Sequence, residues 1–300
     1  MIGETANSSE RFMMSSLPDI YALHRYEPAL TVFVAGCGGT GGYVVSHLAR
    51  FISVLNKEED RISLILADGD IVEEKNLKRQ HFISCDIGRN KAEVLAERYS
   101  VAFGMEIAAL KKDIESVNDL GVMKSFAKYN SSDLVISCVD NNATRKVIWE
   151  WFKEPRVGNR KSKFWIDSGN EETAGQVVCG FRPTDSTYLN TIKPGNTQAI
   201  KVGQFSVPCA VEVYPDLLSS ESKFNSELSC AERAASAPQN MQTNVTAATL
   251  VMNFAQKVIE GAALKSFAVE FSINNAFSTK HLTLDNLSSI SAERKAYWER

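Results

Sequence analysis

The sequence predicts an α/β fold, a mainly parallel sheet flanked by helices with an antiparallel extension toward the C-terminus, and three observations predict it. Short runs rich in Val, Ile, Leu and Phe alternate with helically spaced apolar residues through the first half of the chain. The first such run, residues 31 to 36, opens directly into the glycines Gly36, Gly38, Gly39, Gly41 and Gly42. Beyond Ser168 the texture changes to strand patterns that read as hairpins rather than crossovers.

The elements follow in order. TVFVAG reads as a strand, and Val44, Leu48, Phe51 and Leu55 after it share one helical face, giving strand, glycine turn and helix. ISLILAD at 62 to 68 is a second strand, Lys91 to Tyr99 a helix, and the segment near 106 to 114 an edge strand. DLVISC at 133 to 138 is almost wholly apolar, as a central parallel strand covered on both faces should be. A helical pattern follows from Asn142 to Phe152, and FWID at 164 to 167 closes this half. GQVVCGF at 175 to 181 is a further strand, 243 to 261 an amphipathic helix stopped by Gly261, and FAVEFSI with HLTL a terminal hairpin. The alternation is that of a Rossmann-like sheet.

Between these lies a long polar segment, about 188 to 236, punctuated by Pro194, Gly195, Pro208 and Pro215, which reads as a functional loop. The expected organisation is a peripheral segment at 1–30, one domain at 31–285 and a tail at 286–300.

Composition narrows the functional classes. The 300 residues carry 33 Lys and Arg against 36 Asp and Glu, a net charge of −3, without the basic excess that nonspecific nucleic-acid binding draws on. No apolar run reaches the ~18 to 20 residues of a membrane-spanning helix, and no signal core follows the N-terminus, so a cytoplasmic protein is expected. The cysteines Cys37, Cys85, Cys138, Cys179, Cys209 and Cys230 contain no C-x-x-C pair, which disfavours structural zinc and a disulfide framework. Most are expected to be small buried hydrophobes. The basic residues from Lys153 to Lys163 read as a solvated loop.

Gly36-x-Gly38-Gly39-x-Gly41 stands after a strand and before a helix, where glycines let backbone amides approach a phosphate. A tight turn selected for packing is the plainer reading. Asp68 ends the second strand and suits ribose hydroxyls, a role that fits both a nicotinamide cofactor and ATP. Arg79 and Lys91 then add cations that hydride transfer has no need of but triphosphate chemistry does, unless they belong to a solvated loop. Asp140-Asn141 follows the buried strand, where a carboxylate can hold magnesium against phosphate oxygens or cap the next helix.

Taken together, Gly36-x-Gly-Gly-x-Gly, Asp68-x-Asp70, Asn76-x-x-Arg79-Gln80, Lys91 and Cys138-Val139-Asp140-Asn141 with Arg145 resemble the ThiF/MoeB/HesA family, the prokaryotic relatives of ubiquitin-activating enzymes. The resemblance extends more weakly through Ser168-Gly169 and Gly175-Gln176, over roughly residues 30 to 275. It implies ATP-dependent adenylation of the C-terminal glycine carboxylate of a small ubiquitin-like or sulfur-carrier protein of β-grasp fold, with release of pyrophosphate, by a homodimer using ATP and magnesium. It implies that Asp68 binds the ribose, that Asn76, Arg79 and Lys91 contact phosphates, and that Asp140 positions magnesium, with Asp70, Gln80 and Asn141 in the nucleotide site. An α-carboxyl group is already ionised at neutral pH, so this nucleophile needs no general base. None is expected among His24, His47, His81 and His281, which fit no shared motif.

Cys230, in Ser229-Cys230-Ala231-Glu232, resembles the position of the thiol that captures the activated carrier in some relatives. An inert cysteine is the alternative, since other relatives adenylate without a thiol step, and Cys209 is a weaker substitute. Two departures stand out. The family's paired C-x-x-C zinc ligands are absent, so no zinc is expected. The N-terminal R-Y-x-R-Q segment is reduced to Glu10-Arg11-Phe12-Met13-Met14, which leaves Arg11 or Arg25 to complete a site across a dimer. A nicotinamide-dependent oxidoreductase and a noncatalytic nucleotide- or carrier-binding scaffold remain as other readings.

Overall fold

The computed structural model describes residues 29–56, 61–128, 131–154, 162–182, 188–190, 199–201, 207–219, 223–224, 240–262, 264–274 and 276–283. Eight strands form the main sheet in the order β10-β9-β6-β5-β4-β1-β2-β3. They are β1 (Ala29–Ala35), β2 (Ile62–Ala67), β3 (Ile107–Leu110), β4 (Ser131–Ser137), β5 (Lys163–Asn170), β6 (Ala174–Arg182), β9 (Ala268–Ser272) and β10 (Ser278–Leu282). The five from β5 to β3 pair in parallel. β6, β9 and β10 add on antiparallel beside β5, which is the expected C-terminal extension.

Both faces of the sheet are covered, and alternation along each strand decides which residue meets which layer. Val32 and Val34 of β1, Leu64 and Leu66 of β2 and Leu134 and Ile136 of β4 share a core with α1 (Gly39–Leu55), α2 (Lys91–Phe103) and α8 (Met241–Glu260). Phe33, Ile65, Val135 and Trp165 turn to the other face and pack on Ile148, Trp151 and Phe152 of α5 (Asn142–Lys153). That face also takes Leu120 of α3 (Val117–Leu120) and Met123 of α4 (Met123–Phe126), two short helices that too little periodicity announces.

Helix ends follow local chemistry. Asn90 caps α2 by accepting from Glu93 N, and Asn240 caps α8 by accepting from Gln242 N. Gly104 and Gly261 end the same helices in the left-handed conformation.

Two expectations need correction. The 188 to 236 segment is not wholly irregular. Its described residues form a two-stranded ribbon, β7 (Tyr188–Asn190) with β8 (Ala199–Lys201), and two short helices, α6 (Ala210–Val213) and α7 (Asp216–Ser219). Val207, Cys209, Val211 and Val213 are buried despite the flanking prolines: Val207 bridges to Phe181 of β6, Val207 and Val213 join one core, and Cys209 and Val211 join the other. Lys163 is not in a solvated loop. It lies in β5, is 3% exposed, and donates to Trp151 O and to Glu154 O (2.7 Å), closing the end of α5. Most of the described cysteines are buried, as expected: Cys37, Cys179 and Cys209 are, Cys138 is half-buried, and Cys85 is exposed. Among the described residues no helix is long and apolar enough to cross a membrane.

Candidate functional site

The site is built where β1 gives way to α1. Gly36 has φ +87°, and a Cβ there would come within 2.7 Å of Cys138 O, so the turn crosses tightly over the end of β4. At Gly41 a Cβ would meet Gly36 O at 1.8 Å, which seats the helix start directly on the strand end. These two glycines therefore serve packing. Gly38 is different: a Cβ there would meet nothing nearer than Gln80 Nε2 at 3.7 Å, so packing does not demand a glycine. Gly38 and Gly39 begin α1, whose N-cap makes no side-chain hydrogen bond. The N–H groups of a helix's first turn favour an anion here.

Next door, Asp68 leaves β2 and turns back toward this loop. Its carboxylate accepts from Cys37 N (2.7 Å) and from Asp70 N (2.8 Å). Burial pushes its pKa up and Lys91 pulls it down; with Asp70 adding repulsion, the net result is about 6. Lys91 opens α2, where the helix macrodipole disfavours a cation. An ion pair explains its place: Nζ donates to Asp70 Oδ2 at 2.8 Å. Burial alone would lower its pKa, but Asp68, Asp70 and Asp140 outweigh it and hold the ammonium above its ordinary value.

Asp140 stands at the end of β4 on the same side as Lys91, exposed and without a hydrogen bond to another described residue. Asn141, not Asp140, caps α5, accepting from Thr144 N at 2.8 Å. Asn76 is buried and its Oδ1 accepts from Glu73 N, so that side chain folds on its own turn. Arg79, half-buried, follows in the same turn, bonded through its amide to Asn76 O. Gln80 lies against Gly38 with its buried Oε1 unpartnered, and His81 packs against Gly42. The turn from Asn76 to His81 thus borders the glycine loop.

The structure brings the glycine loop, Asp68, Asp70, Lys91 and Asp140 together, with Asn76, Arg79 and Gln80 on the loop's rim. Cys230, Arg11 and Arg25 lie outside the described residues. Cys209 is fully buried, its thiol pushed well up by burial and Glu212, which removes it as a substitute nucleophile.

Three residues escaped the sequence reading. Asn90 Nδ2 donates to Asp68 O (2.8 Å) and Asp70 O (3.1 Å), clamping their turn while its Oδ1 caps α2. An Asn before a helix-opening Lys was the available signal. Asp113 accepts from Gly69 N at 3.0 Å, and nothing in the local sequence announces it. Asp167 is wholly buried and pairs with Arg145 Nε (3.1 and 3.2 Å). Arg145 also donates to Val139 O (2.7 Å), Asn142 Oδ1 (2.9 Å) and Ser168 O (3.1 Å), fixing the backbone beside Asp140.

Magnesium prefers hard oxygen donors and keeps water and phosphate oxygens as ligands. Asp140 offers one such carboxylate, and among the described residues no group of three or more His, Cys, Asp and Glu could hold a metal alone. The donor set fits a cation shared with phosphates.

Sheet order, the glycine turn and the polar residues gathered at the carboxyl ends of parallel strands define an open α/β protein of Rossmann-like class. The chain belongs to the ThiF family, whose family model it matches over residues 27–291. It is 24% identical over 207 residues to ubiquitin-like modifier-activating enzyme 5 of Oryza sativa subsp. japonica, covering 66% of this chain and 44% of that protein. The protein of the same name from Caenorhabditis briggsae is 28% identical over 173 residues, covering 56% and 34%. This chain therefore spans less than half the length of either relative. Among solved structures, PaaA shares the fold with a TM-score of 0.53 at 15% identity, covering 86% of this chain and 65% of that one.

Proposed function

We propose that this chain is an ATP-dependent adenylyltransferase that activates the C-terminal glycine carboxylate of a small ubiquitin-like carrier of β-grasp fold, releasing pyrophosphate. The observation that carries this is the pairing of Lys91 with Asp70 within reach of the charges of Asp68 and Asp140, beside a glycine loop whose Gly38 no packing requires. Membership of the ThiF family and similarity to ubiquitin-like modifier-activating enzymes support the choice of substrate.

In this reading the α1 N-terminus and Gly38 hold phosphate oxygens, Asp68 accepts from ribose hydroxyls, and Arg79 and Lys91 contact the phosphates with Asn76 and Gln80 alongside. Asp140 holds magnesium, which when bound neutralises phosphate charge. The carrier carboxylate attacks the α-phosphorus; the new C–O–P bond forms as the bond to the β-phosphate breaks. Since that carboxylate is ionised at neutral pH, the site's task is to bring two anions together and neutralise the charge that grows on pyrophosphate. In a second step Cys230 captures the acyl group as a thioester, displacing AMP. The protein acts in the cytoplasm as a homodimer, with Arg11 or Arg25 reaching the partner's nucleotide.

The test is ATP–pyrophosphate exchange with glycine-ended β-grasp proteins encoded beside this chain's gene. Exchange that needs the terminal glycine supports the proposal, and Arg79→Ala or Asp140→Ala should lower it by on the order of a hundredfold to a thousandfold. Cys230→Ala should keep exchange and lose a reductant-sensitive carrier conjugate. NAD-dependent hydride transfer without exchange would overturn the assignment.

A further inference from the structure

Resting on the ATP reading above, we infer that Asp167 is a positioning residue: through Arg145 it holds the end of β4 so firmly that Asp140 suits magnesium better than calcium. Asp167 lies in β5 opposite Ser137 of β4 and is 0% exposed. A carboxylate so deeply placed is tolerated only when donors surround it. Ser137 Oγ and Arg145 Nε donate to Oδ1, and Arg145 Nε also reaches Oδ2 (3.2 Å). The serine hydroxyl is itself oriented, because Trp165 Nε1 donates to it at 2.7 Å. A buried ion pair contributes little net stability beside an apolar pair of the same volume, so packing alone does not account for this one.

What the pair does is aim the guanidinium. With Nε committed to Asp167, Nη1 meets Asn142 Oδ1 (2.9 Å), and Nη2 meets both Val139 O (2.7 Å) and Ser168 O (3.1 Å). One side chain therefore ties together the ends of β4 and β5 and the start of α5. Asp140 stands between two fixed neighbours. Val139 is held through its carbonyl, and Asn141 is held by its cap on Thr144 N, while Thr144 Oγ1 in turn donates to Ile114 O (3.2 Å). The backbone on either side of Asp140 is anchored, and its carboxylate is left for a ligand.

The two ions ask different things of such a carboxylate. Magnesium demands near-octahedral geometry with oxygens at about 2.0 to 2.1 Å, whereas calcium accepts a looser shell at about 2.3 to 2.6 Å. A carboxylate on an anchored backbone serves the exacting ion; one on a loosened backbone loses that advantage and still satisfies calcium. Partners that orient a metal ligand are typically worth about tenfold to a hundredfold in metal affinity.

The test measures dissociation constants of ATP by calorimetry with magnesium, with calcium and with EDTA, alongside melting curves. The wild-type chain is compared with Arg145→Lys, Asp167→Asn, Ser137→Ala and a control, Val251→Ala, which opens a cavity in the core on the other face of the sheet. Magnesium should tighten wild-type ATP binding more than calcium does. Arg145→Lys keeps a cation but not the planar fork that spans three acceptors. In it and in Asp167→Asn, affinity with magnesium should fall by about tenfold to a hundredfold, fall less with calcium, and stay near wild type in EDTA. Val251→Ala should melt lower and keep the wild-type magnesium-to-calcium ratio. Ser137→Ala leaves both charges in place, so it answers the question if the charge variants do not fold: its ratio should move the same way by a smaller factor. An unchanged ratio in the folded variants, or an equal fall under all three conditions, gives the pair a structural role only and overturns this inference alone. A wild-type chain that binds no ATP under any condition overturns the nucleotide reading and this inference with it.

Discussion

Arg145→Met probes the support beneath Asp140. Arg145 is 6% exposed and its partner Asp167 is 0% exposed, so methionine would fill much of the volume while leaving a buried carboxylate without its cation. Val139 O, Asn142 Oδ1 and Ser168 O would lose the same donor. Breaking one side of a buried pair costs about 3 to 5 kcal/mol. At roughly 2 to 4 °C per kcal/mol for a domain of this size, the melting temperature should fall by about 6 to 20 °C. The assay is urea and thermal unfolding at neutral pH, paired with Arg145→Met/Asp167→Asn, which removes both charges yet keeps an acceptor for Ser137. The double variant should recover at least half of the loss. A single variant within about 1 kcal/mol of wild type, below the range for a broken buried pair, would refute the reasoning, as would a double variant no better than the single. Because Arg145 tethers Val139 next to Asp140, magnesium-ATP affinity should fall in the single variant too.

Other outcomes follow from individual residues. Gly41→Ala should fail to fold, since its Cβ would sit 1.8 Å from Gly36 O, whereas Gly38→Ala should melt near wild type and lose ATP affinity; solubility, melting and calorimetry together read this, and normal ATP binding by Gly38→Ala would count against the phosphate role. Asp68, with its pKa raised from 3.8 to about 6, keeps its proton in the folded state over a pH window where the unfolded chain has released it. Ligand-free stability should therefore fall as pH rises from 4 to 6 and level off above, by about 3 kcal/mol for roughly two pH units. Urea midpoints of wild type minus those of Asp68→Asn isolate this, and a flat difference would contradict it. Among Cys37, Cys85, Cys138, Cys179 and Cys209, brief alkylation of the native protein should label Cys85 alone, since burial pushes the thiols of Cys37, Cys138 and Cys209 up and leaves Cys179 unexposed; peptide mass spectrometry reads the result.

Much of the parallel half was legible because β1 and β4 are buried on both faces and each is followed by a helix with a clear apolar stripe. Signals of that kind are local. The short helices α3 and α4 and the packing of Cys209 and Val211 depend on contacts with distant elements, which periodicity cannot express. The same division holds in the site. Gly36, Asp68, Lys91 and Asp140 occupy ends of strands and the start of a helix, positions a motif can mark. Lys163 looked solvated because its neighbours in sequence are basic and polar, yet its register opposite Asp133 in β4 places it inside. Asp113 and Asp167 matter through partners in other segments, Gly69 and Arg145, and those pairings appear only once the strands are laid side by side.

The central claim is that one magnesium nucleotide is gripped by the glycine loop, Lys91 and Asp140 together. Calorimetric titration of magnesium-ATP into the wild-type chain, Lys91→Met and Asp140→Asn, with NAD as the comparison ligand, tests it most directly. The account predicts a single site for magnesium-ATP, no heat from NAD, and binding weakened at least about tenfold in each variant through loss of a charge-assisted contact. Binding of NAD in place of ATP, or wild-type affinity in both variants, would contradict it.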